Sequence, residues 1–513
     1  MDATAAPPRL PLSPDSPFAS LSDLVRAHAA LQPRAPALAD EQRHLSYAQL
    51  DDVANRIASG LQGQGIQPGE AVALCAANSI EAVAAFVGVL RAGAVVVPLP
   101  SSLDAGSFAA MLHDAGARLL FADEAGAALA PPEVPCVGID SGRGLQDWMP
   151  AAGTAPGTWR ASPEDPFNII YSSGTTGTPK GIVQSHGMRW SHIRRGLAYG
   201  YRPDSRTLLS TPLYSNTTLV AFAPALGMGG CVHLMKRFDA AAWLATAQQA
   251  RITHTMLVPI QYERLLDHPA FDRTDLSAFQ MKFCTSAPFS AALKSKVLRR
   301  WPGGLVEVYG MTEGGGACIL EAHRFPQKLH TVGQPGPGHD IRLIDEAGRE
   351  VSGMGEVVGR SAGMMTGYHG RPELTRAAEW FDDQGRRYIR TGDVGRFDED
   401  GFLILMDRRK DMLISGGFNL YPSDLEALLR QHPAVADVAV VGVPSRRWGE
   451  TPVAWVVPKA AEVTEGDLLD WFNVRCAKTQ RLAGLAFTDE LPRSAIGKVL
   501  KRELRDRWSR PVA

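Results

Sequence analysis

Apolar residues in the first third of the chain follow two alternating rhythms. From Ser46, the text "SYAQLDDVANRIASGLQGQG" puts Leu50, Val53, Ile57 and Leu61 on one stripe at helical spacing. Ser46 and Gln49 stand at the spacing of a capping box, and glycines close the run. "AVALCA" (71–76) is an unbroken apolar stretch of strand length, "SIEAVAAFVGVLRAG" reads as helix, and "AVVVPLP" (94–100) as a second strand. "SFAAMLHDAGA" and "RLLFAD" repeat the pair. Strand, helix and strand at this spacing predict right-handed βαβ units and a mainly parallel sheet covered on both faces. Ala82 to Pro100 is the most apolar region, but Arg91, Gly93 and two prolines interrupt it. It reads as a buried helix and strand rather than a membrane span.

The texture changes near Gly336. "DIRLID", "GEVVGRS" and "RYIRTGDVGRFDEDGFLILMDR" alternate short apolar runs with turns, as antiparallel strands do. After Lys410 come "SDLEALLRQHP", with Ser423 and Glu426 spaced as another capping box, then "VADVAVVGV", "PVAWVV" and the helical pattern "TEGDLLDWFNVRCA". This tail is long enough to bury a small α+β core of its own. The expected division is a flexible proline-rich lead-in over 1–18, a large domain over 19–406, a joint at 407–410 and a small domain over 411–513.

Composition narrows the class. The chain has 513 residues, 45% hydrophobic and 21% charged, with 53 basic against 54 acidic side chains. That balance is ordinary for a soluble globular protein and argues against a general nucleic-acid or membrane-surface binder. Six cysteines (75, 136, 231, 284, 318 and 476) lie far apart with no CxxC pair, as expected of reduced, mostly buried thiols in a cytoplasmic protein. The N-terminal "MDATAAPPRLPLSPDSP" lacks the continuous apolar core of a secretory signal. A homodimer is compatible with the sequence, which leaves oligomeric state open.

"YSSGTTGTPKG" (171–181) combines glycines, hydroxyls and one lysine between two strand-like runs, "FNII" and "GIVQSH". It is not a Walker A loop, because Lys180 is followed by Gly181 and no helix opens there. The physical idea is the same: glycines let N–H groups approach phosphate oxygens, hydroxyls add donors and the lysine supplies charge. From residue types alone, a phosphate site and a solvated turn stand about level.

The order of further motifs decides between them. "SAP" (286–288), "VYGMTE" (308–313), "GYHGRPELT" (367–375), "YIRTGD" (388–393), "DRRKDMLISGGFNLYPSDLE" (407–426) and "RSAIGKVLKREL" (493–504) follow in series. Together with the loop they resemble the adenylate-forming superfamily of AMP-forming acyl-CoA ligases, adenylation domains and beetle luciferases. The resemblance implies an α/β fold: a large N-terminal domain with mainly parallel sheets and a distorted β-barrel region, and a small mobile α+β C-terminal domain. It implies activation of a carboxylic acid by ATP to an acyl-adenylate with release of pyrophosphate, then transfer to a thiol, with ATP, Mg²⁺ and coenzyme A as the partners.

Residue by residue, the resemblance makes Ser172, Ser173, Gly174, Thr175, Thr176, Gly177, Thr178 and Lys180 the clamp on the outgoing phosphates. Tyr309, followed by Gly310 and Met311, flanks the adenine, with Ser286, Ala287 and Pro288 on its other side. Asp393 accepts from the ribose hydroxyls, Arg408 lies near phosphate or ribose, Thr312 near the α-phosphate, and Glu313 helps hold Mg²⁺. Lys498 stabilises charge during adenylation, and the small domain swings about Lys410. After the swing, Gly416 and Gly417 let a slim pantetheine arm pass, and Trp448 and Arg481 meet the nucleotide end of CoA. His186 and His192 gain nothing from the series and read as structural or surface residues.

The acid is read from departures. The region "TPLYSNTTLVAF" (211–222) offers Tyr214, Asn216 and Thr217 but no acidic residue, so an α-amino acid is disfavoured. Gly310 stands where small-acid relatives carry a blocking tryptophan, with Gly314 and Gly315 just beyond, which predicts an open pocket floor and a bulky, mostly apolar acyl group. A dicarboxylate would want a buried cation, and the motifs show none; Glu307 has the wrong sign. A medium- or long-chain fatty acid is the leading expectation. Alternatives are an aromatic or alicyclic acid, loading of a separate carrier protein, and, in a different class, a nucleotide-binding sensor without turnover.

Overall fold

A computed structural model describes residues 10–140, 144–172, 180–408, 413–415, 418–445, 449–459, 463–476, 480–494 and 497–510. The chain divides by its internal contacts into two compact units. The first comprises 1–329, 335–340 and 359–389; the second comprises 330–334, 341–358 and 390–513.

The βαβ rhythm is realised in the first unit. Strands Ala71–Cys75, Val95–Pro98, Leu119–Ala122 and Cys136–Gly138 pair in parallel, and Val95–Pro98 also pairs in parallel with Pro166–Ser172. A second sheet runs in space from Pro36–Ala39 through Cys231–Leu234, Arg206–Leu209, His254–Leu257 and Met281–Cys284 to Gly304–Met311, all parallel. Gly314–Glu321 then turns back antiparallel.

Helices fill the space between the two sheets. Ile80–Arg91 is buried at every position but Glu81, which is why its sequence is apolar all round. Phe86 links the layers, with its ring centroid 5.7 Å from Phe167 of one sheet and 5.8 Å from Phe222 of the neighbouring helix Asn216–Gly227. The run from Ala82 to Pro100 is thus interior, and no helix among the described residues is long and apolar enough to cross a membrane. The expected capping box forms: Ser46 and Gln49 satisfy each other's backbone N–H at the start of Tyr47–Gly63. The lead-in packs from Leu10 onward, with Leu12 buried in the main core and the Pro14 carbonyl accepting from Arg194.

A curled sheet takes in the antiparallel strands near the C-terminal half, including Gly355–Arg360, Arg387–Phe397 and Leu403–Arg408. In the second unit, strands Val435–Ser445, Gly449–Pro458 and Gly484–Phe487 carry helices Pro422–Leu429, Glu465–Asn473 and Lys501–Asp506 around separate cores. The second expected capping box does not form. Pro422 occupies the first helical position with Tyr421 as the cap, because proline's fixed φ starts the helix two residues early. Ser423 donates instead to the Met406 carbonyl, and Glu426 accepts from the Val440 N–H at 2.9 Å and pairs with Lys501.

Candidate functional site

Parallel strands leave the second sheet at one edge, so the segments after their carboxyl ends converge, as in open α/β sheets generally. Tyr214, Asn216 and Thr217 follow Arg206–Leu209; Ser286, Ala287 and Pro288 follow Met281–Cys284; Tyr309 to Glu313 close Gly304–Met311. Buried Asn78 anchors the first of these segments, donating to the Thr211 carbonyl at 2.9 Å and accepting from the Leu213 N–H at 3.0 Å. Ser286 has φ 81°, a strained value for a residue with a side chain, and its hydroxyl is hydrogen-bonded to that of Thr217. Thr285 fixes the neighbouring strand through the Val308 carbonyl at 2.7 Å.

The glycine-rich loop closes a hairpin. Pro166–Ser172 and Lys180–Ser185 pair antiparallel, with Ser172 opposite Lys180 and Tyr171 opposite Gly181. Ser173, Gly174, Thr175, Thr176, Gly177 and Thr178 lie outside the described residues, as does the side chain of Ser172. The base of the hairpin is braced on both sides. The Tyr171 hydroxyl donates to Asp114 at 2.7 Å, and Arg371 pairs with the other oxygen of the same carboxylate at 2.7 Å. Lys180 holds its ammonium 5.9 Å from the centre of the Tyr368 ring, and the Tyr368 hydroxyl donates to Glu313 at 2.9 Å. Burial first, and then the Glu313 charge, push the Tyr368 phenol up, so it remains a donor at neutral pH.

The turn at 312–313 is held by backbone as well. Gln184 donates to the Thr312 carbonyl at 2.7 Å, and the Met365 N–H to that of Glu313 at 2.8 Å. Thr312, Glu313, Lys180 and Tyr368 are therefore one connected constellation. No group of three or more His, Cys, Asp or Glu side chains able to hold a metal alone occurs among the described residues.

Two expectations about the pocket change. Gly314 and Gly315 have φ of 75° and 81°, and a Cβ on either would meet backbone, at Gly363 and Gly359 respectively. They are glycines because neighbouring backbone passes closely, a turn at Gly363 and a strand at Gly359, whereas at Gly310 the nearest atom to an added Cβ is Ala317 Cβ, 3.6 Å away. Buried cations also exist near the motifs, against expectation. Glu307 is paired with buried Lys294, and Arg189 is buried against Asn216. Neither could be placed from local sequence, because each partner lies on a different element.

His186 and His192 are buried, as a structural role requires. In the second unit, Asp393 stands opposite Arg408 in the strand register, and its N–H donates to the Thr391 hydroxyl at 3.0 Å. Lys498 is half-buried with its N–H on the Ser494 hydroxyl, and Arg481 is exposed. Lys410, Gly416, Gly417, Trp448 and the Arg408 side chain lie outside the described residues. Sequence reading missed Tyr171, Asp114, Arg371 and Tyr368 as supports of the hairpin, although Tyr171 and Tyr368 stand inside quoted motifs.

Residues 25–369 match the family described as AMP-binding enzyme, and residues 424–498 its C-terminal domain. A feruloyl-CoA synthase of Amycolatopsis sp is 35% identical over 94% of this chain and 97% of its own length. A long-chain-fatty-acid–CoA ligase of Mycobacterium tuberculosis is 32% identical over 95% and 98%. The crystal structure of ATP-bound MatB from Rhodopseudomonas palustris superposes with a TM-score of 0.85 at 29% identity, covering 95% of this chain and 99% of that one.

Proposed function

The chain belongs to the AMP-binding enzyme family and is an AMP-forming acid–CoA ligase, and from that premise we propose how its residues divide the work. The hairpin loop from Ser172 to Lys180 holds the β- and γ-phosphates of ATP. Tyr309 and the segment Ser286–Pro288 enclose the adenine, Asp393 binds the ribose hydroxyls, and Arg408 assists there. Thr312 meets the α-phosphate as the acid carboxylate approaches it. Bringing two anions together requires charge neutralisation and in-line positioning. Lys498 supplies a cation during this step, and the small domain over 411–513 withdraws it afterwards by rotation at Lys410. Gly416 and Gly417 then admit the pantetheine arm, with Trp448 and Arg481 at the nucleotide end of CoA.

The connected set of Lys180, Tyr368, Glu313 and Thr312 carries this reading. Glu313 suits Mg²⁺: it offers a single carboxylate, with one oxygen already engaged by Tyr368, as fits a cation that keeps waters and takes its other ligands from phosphates. When bound, the ion would screen the triphosphate. The acyl group is bulky and mainly apolar, because Gly310 leaves room, and a medium- or long-chain fatty acid is the first choice. An aromatic acid is the second reading, favoured by the feruloyl-CoA synthase relative. Free CoA is the acceptor, and a cytoplasmic location follows from ATP and CoA as substrates.

ATP–pyrophosphate exchange over a panel of carboxylic acids tests the proposal. At least one bulky acid should support exchange, and none would if the chain only sensed nucleotide. Lys498→Ala should slow exchange by roughly 10²–10³-fold or more, while thioester formation from supplied acyl-adenylate survives. Equal loss of both half-reactions would defeat the assignment.

A further inference from the structure

Arg189, on the helix His186–Gly196, is 1% exposed and meets no carboxylate among the described residues. Its donors end on three amides, and Nη1 also lies 3.4 Å from His192 Nδ1. Nε and Nη2 reach Asn168 Oδ1 at 3.3 and 3.0 Å, Nη2 also donates to Gln184 Oε1, and Nη1 donates to Asn216 Oδ1 at 2.9 Å. Burial pulls the guanidinium down to about 9, which leaves it a cation at neutral pH. A guanidinium only donates, so all three amides must turn their oxygens towards it. Asn168 Nδ2 then donates to Gln184 Oε1 at 3.0 Å, and Gln184 Nε2 is free to hold the Thr312 carbonyl and to reach Asn216 Oδ1 at 3.3 Å.

The consequence falls on Asn216. Its oxygen receives two donors, so its NH₂ faces away from the network, where no partner meets it among the described residues. Asn216 is half-buried, opens the helix Asn216–Gly227 and precedes Thr217, which is bonded to Ser286. Gln184 alone separates it from Thr312. His192, beside Arg189, is kept neutral first by burial and then by Arg195, Arg189 and His339.

We propose that Arg189 is a positioning residue that makes Asn216 an outward amide donor, and that the acid carries, on an otherwise apolar acyl group, an oxygen acceptor for it. The inference rests on the ligase reading above and names the feature of the acid that this reading leaves open. A ketone, a phenolic oxygen or a second carboxylate shares the needed lone pair. An unmatched donor penalises the plain acid, since Asn216 loses water without gaining a partner.

The test measures kcat/KM by pyrophosphate release for pairs of acids of equal length that differ by one methylene-to-carbonyl or terminal methyl-to-carboxylate change. The carbonyl is stepped along the chain, and phenol pairs with and without hydroxyl are included. The native enzyme should favour an oxygenated member by about 10–100-fold. Asn216→Leu should bring that ratio near one by slowing the oxygenated acid and relieving the penalty on the plain one. Arg189→Met should move the ratio the same way with a smaller effect on the plain acid, whereas a merely structural role lowers both together. Arg189→Lys, which keeps the buried charge with fewer donors, replaces the methionine variant should that one not fold. A native ratio near one in every pair, or a ratio unmoved by Asn216→Leu, overturns the donor role; parallel loss in the Arg189 variants overturns the positioning role. Failure of the ligase reading looks different, because then no acid of either kind supports exchange.

Discussion

Gly314 and Gly310 are four residues apart and answer to different constraints. At Gly314 the backbone has φ 75° and the Gly363 carbonyl occupies the Cβ position, so any side chain must move the turn that carries Gly363. Gly314→Ala should destabilise the protein by at least about 1–3 kcal/mol, read from denaturant unfolding. Gly310 is exposed and faces space, so Gly310→Trp should leave stability nearly unchanged. Its effect belongs to specificity: kcat/KM for a bulky acid should fall at least tenfold relative to a two- or three-carbon acid. Unchanged selectivity in that variant would move the acyl pocket elsewhere. One-letter text shows both residues as glycine, and only the surrounding backbone separates the one required by a close strand from the one that leaves space.

At the scale of elements, the helix His186–Gly196 starts with a histidine that burial pulls down to about 4, against a partial upward pull from Asp165. The positive end of the helix also disfavours an imidazolium there. His254, in the strand His254–Leu257, is likewise pulled down to about 4 by burial, with the Tyr199 carbonyl opposing. Both are neutral when folded and titrate near 6.5 when unfolded, so the unfolded chain binds more protons between those values. Their stabilisation is complete above about 6.5 and is lost as pH falls towards 4, by up to about 3 kcal/mol for each. The thermal midpoint should drop across that window, and His186→Gln should flatten the drop. These elements were largely legible, because helix caps, β-branched runs and alternation are local: the box at Ser46 formed as read, and the box at Ser423 failed only because Pro422 pre-empts it. What joins elements was not. Asn168 and Gln184 read as interior polar residues of two strands, and nothing local ties them to Arg189 or to Thr312.

The whole molecule has to perform two reactions with one set of substrates, and the residues proposed for them are divided between its two compact units. Thr312, Glu313 and Lys180 belong to the first, Asp393 and Lys498 to the second. The segment after Lys410 buries apolar clusters of its own. Leu425, Val440 and Phe472 pack with one another, as do Val441, Leu491 and Leu504. If the Lys498 ammonium serves adenylation and must leave before the thiol arrives, the turn belongs at a single backbone position, and Lys410 is the proposed one. Proline there fixes φ near −65° and removes the N–H, which restricts rotation without touching either set of substrate contacts. Lys410→Pro should therefore change the ratio of pyrophosphate exchange to thioester formation by tenfold or more, while Lys410→Gly, which keeps the rotation free, leaves the ratio near that of the native chain. The two rates are measured separately, one with acid and ATP, the other with preformed acyl-adenylate and CoA. Because folding damage would lower both, only a changed ratio supports a pivot at this residue; parallel decline, or no decline, places the motion elsewhere.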